Sequence, residues 1–81
     1  MLLVKLGGSL AGQAGGQTEF HVEGRNVIEM LRNLGELCPA LKPVLEKGVT
    51  VSVDGRLQRE ATYHPLTPDN EIFLLPRMAG G

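Results

Sequence analysis

The spacing of hydrophobic and polar positions changes repeatedly along the chain, and each change marks an element. Leu2 to Leu6 is a short apolar run stopped by Gly7-Gly8, which predicts a first strand. Ser9 to Gly16 is rich in glycine and alanine and predicts a flexible turn or loop. From Gln17 to Val22 the period is two: Thr18, Phe20 and Val22 alternate with Gln17, Glu19 and His21. That predicts a half-buried second strand antiparallel to the first. The period then becomes helical. Val27, Ile28, Leu31, Leu34 and Cys38 form a stripe, widened by Met30, Leu37 and Leu41, with Glu29, Arg32, Asn33 and Glu36 toward solvent. Asn26 with Glu29 three residues on has the form of a capping box, and Pro39 ends the regular helix. Leu41 to Lys47 adds one irregular turn before Gly48.

The second half returns to strands. Val49 to Val53 is the clearest of them, and Asp54-Gly55 is a two-residue hairpin signal because both positions accept positive φ. Arg56 to Gln58 is the short return strand. Arg59 to Leu66 is irregular, Thr67-Pro68-Asp69-Asn70 reads as a turn, and Glu71 to Pro76 as the final strand. Two strands, one main helix and two or three further strands make an α+β domain. With the last strand beside the first, a mixed sheet of four to five strands grips one helix, which is the β-grasp arrangement. The expected division is a β-grasp domain over 1–76 and a flexible tail over 77–81.

Side chains of the last strand alternate between faces, so Ile72 and Leu74 share one and Phe73 and Leu75 the other. A single helix covers one face, which leaves one pair toward solvent. Either a loop such as Tyr63 to Leu66 covers that pair, or Phe73, Leu75 and Met78 form a partner-docking patch with Arg77 at its rim.

Composition narrows the function more than the fold. The 81 residues allow one domain of stability on the order of 5 kcal/mol. Eight basic against nine acidic side chains leave a net charge of −1, which argues against nucleic-acid and polybasic membrane binding. The single Cys38 forms no internal disulfide and is expected as a buried thiol on the apolar side of the helix. There is no long apolar run or secretory h-region, so the expected location is cytoplasmic. His21 and His64 have no neighbours at metal-ligand spacing, and no metal is expected. The glycines at 7, 8, 12, 15 and 16 lack the lysine-serine or lysine-threonine pair of a phosphate-binding loop. No catalytic constellation is visible.

The chain ends in Gly80-Gly81. Two residues without side chains can thread a narrow channel and leave one unhindered carboxylate. His64-Pro65-Leu66, the turn at 67–70, Glu71 to Pro76 and Gly80-Gly81 together resemble the end of the small subunit of molybdopterin synthase (the MoaD group). Val51-Ser52-Val53-Asp54-Gly55 is similar to the strand and turn upstream in that group, and the helix from Asn26 to Cys38 falls where its main helix lies. Gly8 to Gly16 departs from the pattern by lacking a short helical motif common there, and Arg77-Met78 stands where a second proline and a small residue are common. The wider family includes the thiamine-pathway sulfur carrier (ThiS type) and the ubiquitin-related modifiers, all β-grasp proteins.

The resemblance implies a sulfur carrier without its own catalytic residues. A ubiquitin-activating-type adenylyltransferase, using ATP and magnesium, activates the Gly81 carboxylate while Gly80 threads the channel. A sulfur donor then converts the carboxylate to a thiocarboxylate. The acceptor it implies is the large subunit of molybdopterin synthase or an equivalent enzyme. No cofactor is bound by this chain. Two other readings stay open: a ubiquitin-like modifier conjugated through Gly81, and a non-covalent β-grasp interaction subunit.

Overall fold

The computed structural model of the chain describes residues 1–58 and 63–76. Five strands form one sheet: β1 (Leu2–Leu6), β2 (Glu19–Val22), β3 (Val49–Val53), β4 (Arg56–Gln58) and β5 (Ile72–Pro76). Their spatial order is β2-β1-β5-β3-β4. β1 runs antiparallel to β2 and parallel to β5, while β3 is antiparallel to both β5 and β4. The mixed sheet with its helix is the expected ubiquitin-like β-grasp.

Alternation supplies the core. Leu2, Val4 and Leu6 of β1, Phe20 and Val22 of β2, and Val49, Val51 and Val53 of β3 point to one face with Ile72 and Leu74 of β5. Helix α2 (Val27–Leu37) lays Val27, Met30 and Leu34 into this layer, and Leu41 and Leu66 complete it. Asn26 caps α2, its Oδ1 accepting the Glu29 amide at 2.9 Å. The return bond reaches one residue further out than in a standard capping box: Glu29 Oε1 accepts the Arg25 amide at 3.1 Å. The Leu66 amide donates to the Arg25 carbonyl at 2.9 Å, so the chain just ahead of the Thr67–Asn70 turn is tied to the start of α2.

The helical parts differ from the sequence reading in three places. Ser9 to Gly16 is not a loop throughout: α1 (Leu10–Gln13) forms a turn of helix, buries Leu10, and so supplies the short helical motif expected to be missing. The glycines that argued for a loop instead terminate this helix. Gly15 and Gly16 take φ of 75° and 92°, and the Gly16 amide reaches back to the Ala11 carbonyl at 2.8 Å. After α2, a 3-10 turn (Pro39–Leu41) leads into α3 (Lys42–Lys47), which is more than one irregular turn. Proline starts both, at positions where its missing amide costs nothing. Gly35 lets α3 approach, since a Cβ there would sit 3.3 Å from Lys42 Cγ. Third, Leu37 is 57% exposed and does not join the apolar stripe. It lies in the last turn of α2 beside His21 and Glu23, at the edge of the sheet. Cys38 is half-buried and packs against the core, as a small apolar residue does.

Two turns are stapled together. Asp54 takes φ 52° and Gly55 φ 81°, both in the left-handed region that the hairpin requires. Asp54 Oδ1 accepts the Glu71 amide at 2.8 Å, and its Oδ2 accepts from Asn70 Nδ2 at 2.6 Å. Asn70 Oδ1 in turn accepts the Thr67 amide at 2.8 Å. The β3–β4 hairpin thereby fixes where β5 begins.

Candidate functional site

Among the described residues, the helices lie on one side of the sheet and none covers the other. β5 lies at its middle and shows what the alternation predicts: Ile72 and Leu74 are buried, while Phe73 and Leu75 are 39% and 38% exposed. The segment from Tyr63 to Leu66 does not cover them. Tyr63 is itself exposed and Leu66 turns into the core.

The registers of β5 with its neighbours assemble the face. Phe73 lies opposite Lys5 of β1 and Ser52 of β3; Leu75 lies opposite Thr50; Ser52 pairs onward with Leu57 of β4. Leu57 is 72% exposed and extends the apolar surface to the sheet edge. Lys5 folds across the centre, its Nζ 5.7 Å from the centroid of the Phe73 ring.

The start of the sheet is shaped around the end of β5. The Gly7 amide donates to the Leu74 carbonyl at 2.8 Å, and a Cβ on Gly7 would lie only 2.5 Å from Leu75 Cδ2. Gly8, at φ 58°, passes the Pro76 ring with room for no side chain: a Cβ would meet Pro76 Cδ at 3.0 Å. Pro76, the last described residue, pairs with Val49 and lines a cleft of about 350 Å³ together with Leu10, Gln13, Pro43, Val44, Lys47 and Gly48.

Of the residues singled out from sequence, Phe73 and Leu75 come together on the open face. Arg77, Met78, Gly80 and Gly81 lie outside the described residues. Lys5, Gly7 and Leu57 were not foreseen as parts of this site. Alternation along β1 already puts Lys5 on the face opposite Leu2, Val4 and Leu6, but its seat over Phe73 depends on a register between strands far apart in sequence. Among the described residues, no group of three or more His, Cys, Asp or Glu side chains is gathered closely enough to hold a metal ion. Nor does any described helix have the length and apolarity to cross a membrane.

The small archaeal modifier protein 1 (SAMP1) of Methanosarcina acetivorans shares this structure with a TM-score of 0.78. It is 30% identical in sequence, over 99% of this chain and 95% of the modifier. The chain belongs to the MoaD/ThiS-type family of ubiquitin-like sulfur carriers. Two further members share the fold at lower identity. CysO of Amycolatopsis orientalis, solved in complex with BexX, gives a TM-score of 0.77 at 18% identity and full coverage of both chains. A molybdopterin-converting factor subunit of Helicobacter pylori, solved as a complex of subunits 1 and 2, gives 0.65 at 22%, over 99% of this chain and 97% of that one. No protein-family model and no curated protein matches the sequence.

The uncovered face of the sheet carries exposed apolar side chains at Phe73, Leu75 and Leu57. Its apolar surface runs from β5 at the centre of the sheet to Leu57 at the edge, includes one aromatic ring, Phe73, and borders Pro76, the end of β5.

Proposed function

We propose that the chain is a sulfur carrier whose reactive group is the Gly81 carboxylate, presented to its enzymes by the open face of the sheet. The observation that carries this reading is the position of β5. Its inner side chains anchor it at the centre of the fold, its outer side chains Phe73 and Leu75 stay available, and five residues further on the sequence ends in Gly80-Gly81. Membership of a sulfur-carrier family supports it.

A carboxylate is a poor electrophile because its leaving group would be oxide. A ubiquitin-activating-type enzyme overcomes this by letting a Gly81 oxygen attack the α-phosphorus of magnesium-bound ATP, which releases pyrophosphate and gives an acyl adenylate. Hydrosulfide then attacks the carbonyl carbon. The C–O bond to AMP breaks, and a thiocarboxylate, AMP and a proton result. On an acceptor enzyme, of the molybdopterin-synthase large-subunit type or an equivalent, the thiocarboxylate sulfur displaces a leaving group of that enzyme's substrate. Water then cleaves the C–S bond to Gly81, leaving the sulfur on the substrate and restoring the carboxylate. On this reading Arg77 and Met78, the two residues that follow β5 in sequence, add a charged and an apolar contact to those of Phe73 and Leu75, and Gly80 gives the slenderness that entry to the adenylating site requires.

A second reading is favoured by the relative at 30% identity, which is called a modifier protein. On this reading the same acyl adenylate passes Gly81 to a lysine amine, forming an isopeptide bond and releasing AMP and a proton.

Intact mass distinguishes the two. The chain is incubated with the activating enzyme of its own organism, ATP, magnesium and sulfide. A gain of about 16 Da, sulfur for oxygen, marks the carrier. A lysine-linked adduct that carries the whole 8.7 kDa chain marks the modifier. With neither product and no pyrophosphate release, the tail is inert and the chain is a non-covalent interaction subunit.

A further inference from the structure

The centre of the open face is not purely apolar. Lys5 stands between β2 and β5 with its ammonium over the Phe73 ring, and its cross-strand neighbour on β2 is Glu19. The ammonium forms no ion pair with Glu19 or any other described carboxylate; the ring is its contact. Any protein that covers Phe73 and Leu75 therefore also removes this ammonium from water. Desolvating a lone ammonium is costly, and an aromatic face offsets only part of that cost. A partner with a plain hydrophobic pocket is penalised, whereas one that sets a carboxylate among apolar side chains is rewarded.

We infer that the activating enzyme docks on this face with an acidic side chain aimed at Lys5, so that Lys5 is a specificity-determining residue of the carrier. The inference rests on the carrier reading above and adds to it the chemistry of the partner's surface. Phe73 and Leu75 supply the apolar contact. Lys5, held over Phe73, reads whether a negative charge lies at the middle of the opposing surface. The face thus selects its enzyme by a positive charge set against the Phe73 ring and beside Leu75, a combination that generic hydrophobic surfaces lack.

The test is ATP–pyrophosphate exchange by the activating enzyme of the same organism, with this chain as the varied substrate. Lys5→Met keeps the length and apolar stem of the side chain and removes the charge. If a carboxylate faces Lys5, the variant leaves it buried and unpaired: KM for the carrier rises at least tenfold while kcat holds, and the salt dependence of kcat/KM flattens. Lys5→Arg keeps the charge and restores most of the affinity. If no carboxylate is there, removing the ammonium lowers KM or leaves it unchanged, and either result overturns the inference. Size-exclusion chromatography and a melting curve on each variant exclude aggregation or unfolding as the source of a raised KM; a raised KM that Lys5→Arg does not restore also counts against the inference. Absence of exchange with the unaltered chain is a different failure. It removes the carrier reading itself, and this inference with it.

Discussion

Leu74 and Leu75 are neighbours in sequence and opposites in structure, so truncating each in turn measures how the strand divides its labour. Leu74 is fully buried, between Leu6 of β1 and Val51 of β3 in register, on the face that α2 covers. Leu74→Ala removes three carbons from an enclosed site that collapses only in part, at a cost of about 3 kcal/mol within the range of about 2–5 found for such changes. Leu75 is 38% exposed and rests on the side of Gly7. Its truncation opens no enclosed cavity and gives up only partial burial, about 1 kcal/mol. In a domain of this size each kcal/mol moves Tm by about 4–8 °C. Leu74→Ala should therefore lower Tm by about 12–24 °C, and Leu75→Ala by less than about 8 °C. Far-UV circular dichroism melts give Tm, and urea titrations with an unchanged slope confirm that stability and not denatured-state compactness has altered. The binding order should invert: Leu75→Ala raises KM for the activating enzyme, whereas any folded Leu74→Ala binds nearly as the parent does. Equal losses of Tm, or a larger one for Leu75→Ala, would show that the two faces have been assigned the wrong way round.

Gly7→Ala places a methyl group against Leu75 Cδ2 without demanding an unusual backbone, so Leu75 must turn to another rotamer at about 0.5–1.5 kcal/mol, nearly offset by the stiffer unfolded chain. Tm should hardly change while the Leu75 methyl resonances shift; in a Leu75→Ala background the same substitution should become stabilising, and strict additivity of the two changes would refute the contact. Glu29 gives a pH signature. The hydrogen bond from the Arg25 amide, helped by the charges of Arg25 and Arg32 and opposed by desolvation, holds its carboxyl below the ordinary value of 4.5. A folded value below the unfolded one means stability that is present above the unfolded value and lost as pH falls through the folded value. The Tm gap between parent and Glu29→Gln should accordingly close on acidification below about pH 4.5, and a gap that stays constant would show that the carboxylate's charge is not what the Arg25 amide favours.

What could be read from the sequence follows the range over which each signal acts. Alternation in Leu2–Leu6, Val49–Val53 and Ile72–Pro76 is local, so the strands, their buried faces and the exposed pair Phe73 and Leu75 were legible, as was the Asn26 cap. Glycine misled at α1: composition alone does not separate a chain that glycines keep flexible from one in which Gly15 and Gly16 end a short helix built on a buried Leu10. Leu37 was misplaced because a helical stripe says which side is apolar and not where the covering layer stops. The features that needed two distant segments were beyond reach. Lys5 over Phe73, Gly7 under Leu75 and the Asp54 staple to Asn70 and Glu71 each join residues that only the completed sheet brings together.

That dependence bears on how the molecule comes into being. β5 is the last described element to leave the ribosome, yet it fills the slot between β1 and β3. Until it arrives the chain holds two hairpins with no ladder between them. Pairing Val4 with Ile72 closes a loop of roughly 70 residues, an entropic cost on the order of 4 kcal/mol before any contact compensates, so this step belongs to the slow part of folding. An incomplete or misfolded chain cannot display Phe73 beside Lys5, because one residue comes from each side of that closure. On the proposed carrier reading, an enzyme that docks on this face thereby recognises a finished fold, and incomplete or misfolded chains are screened out before ATP is spent on them.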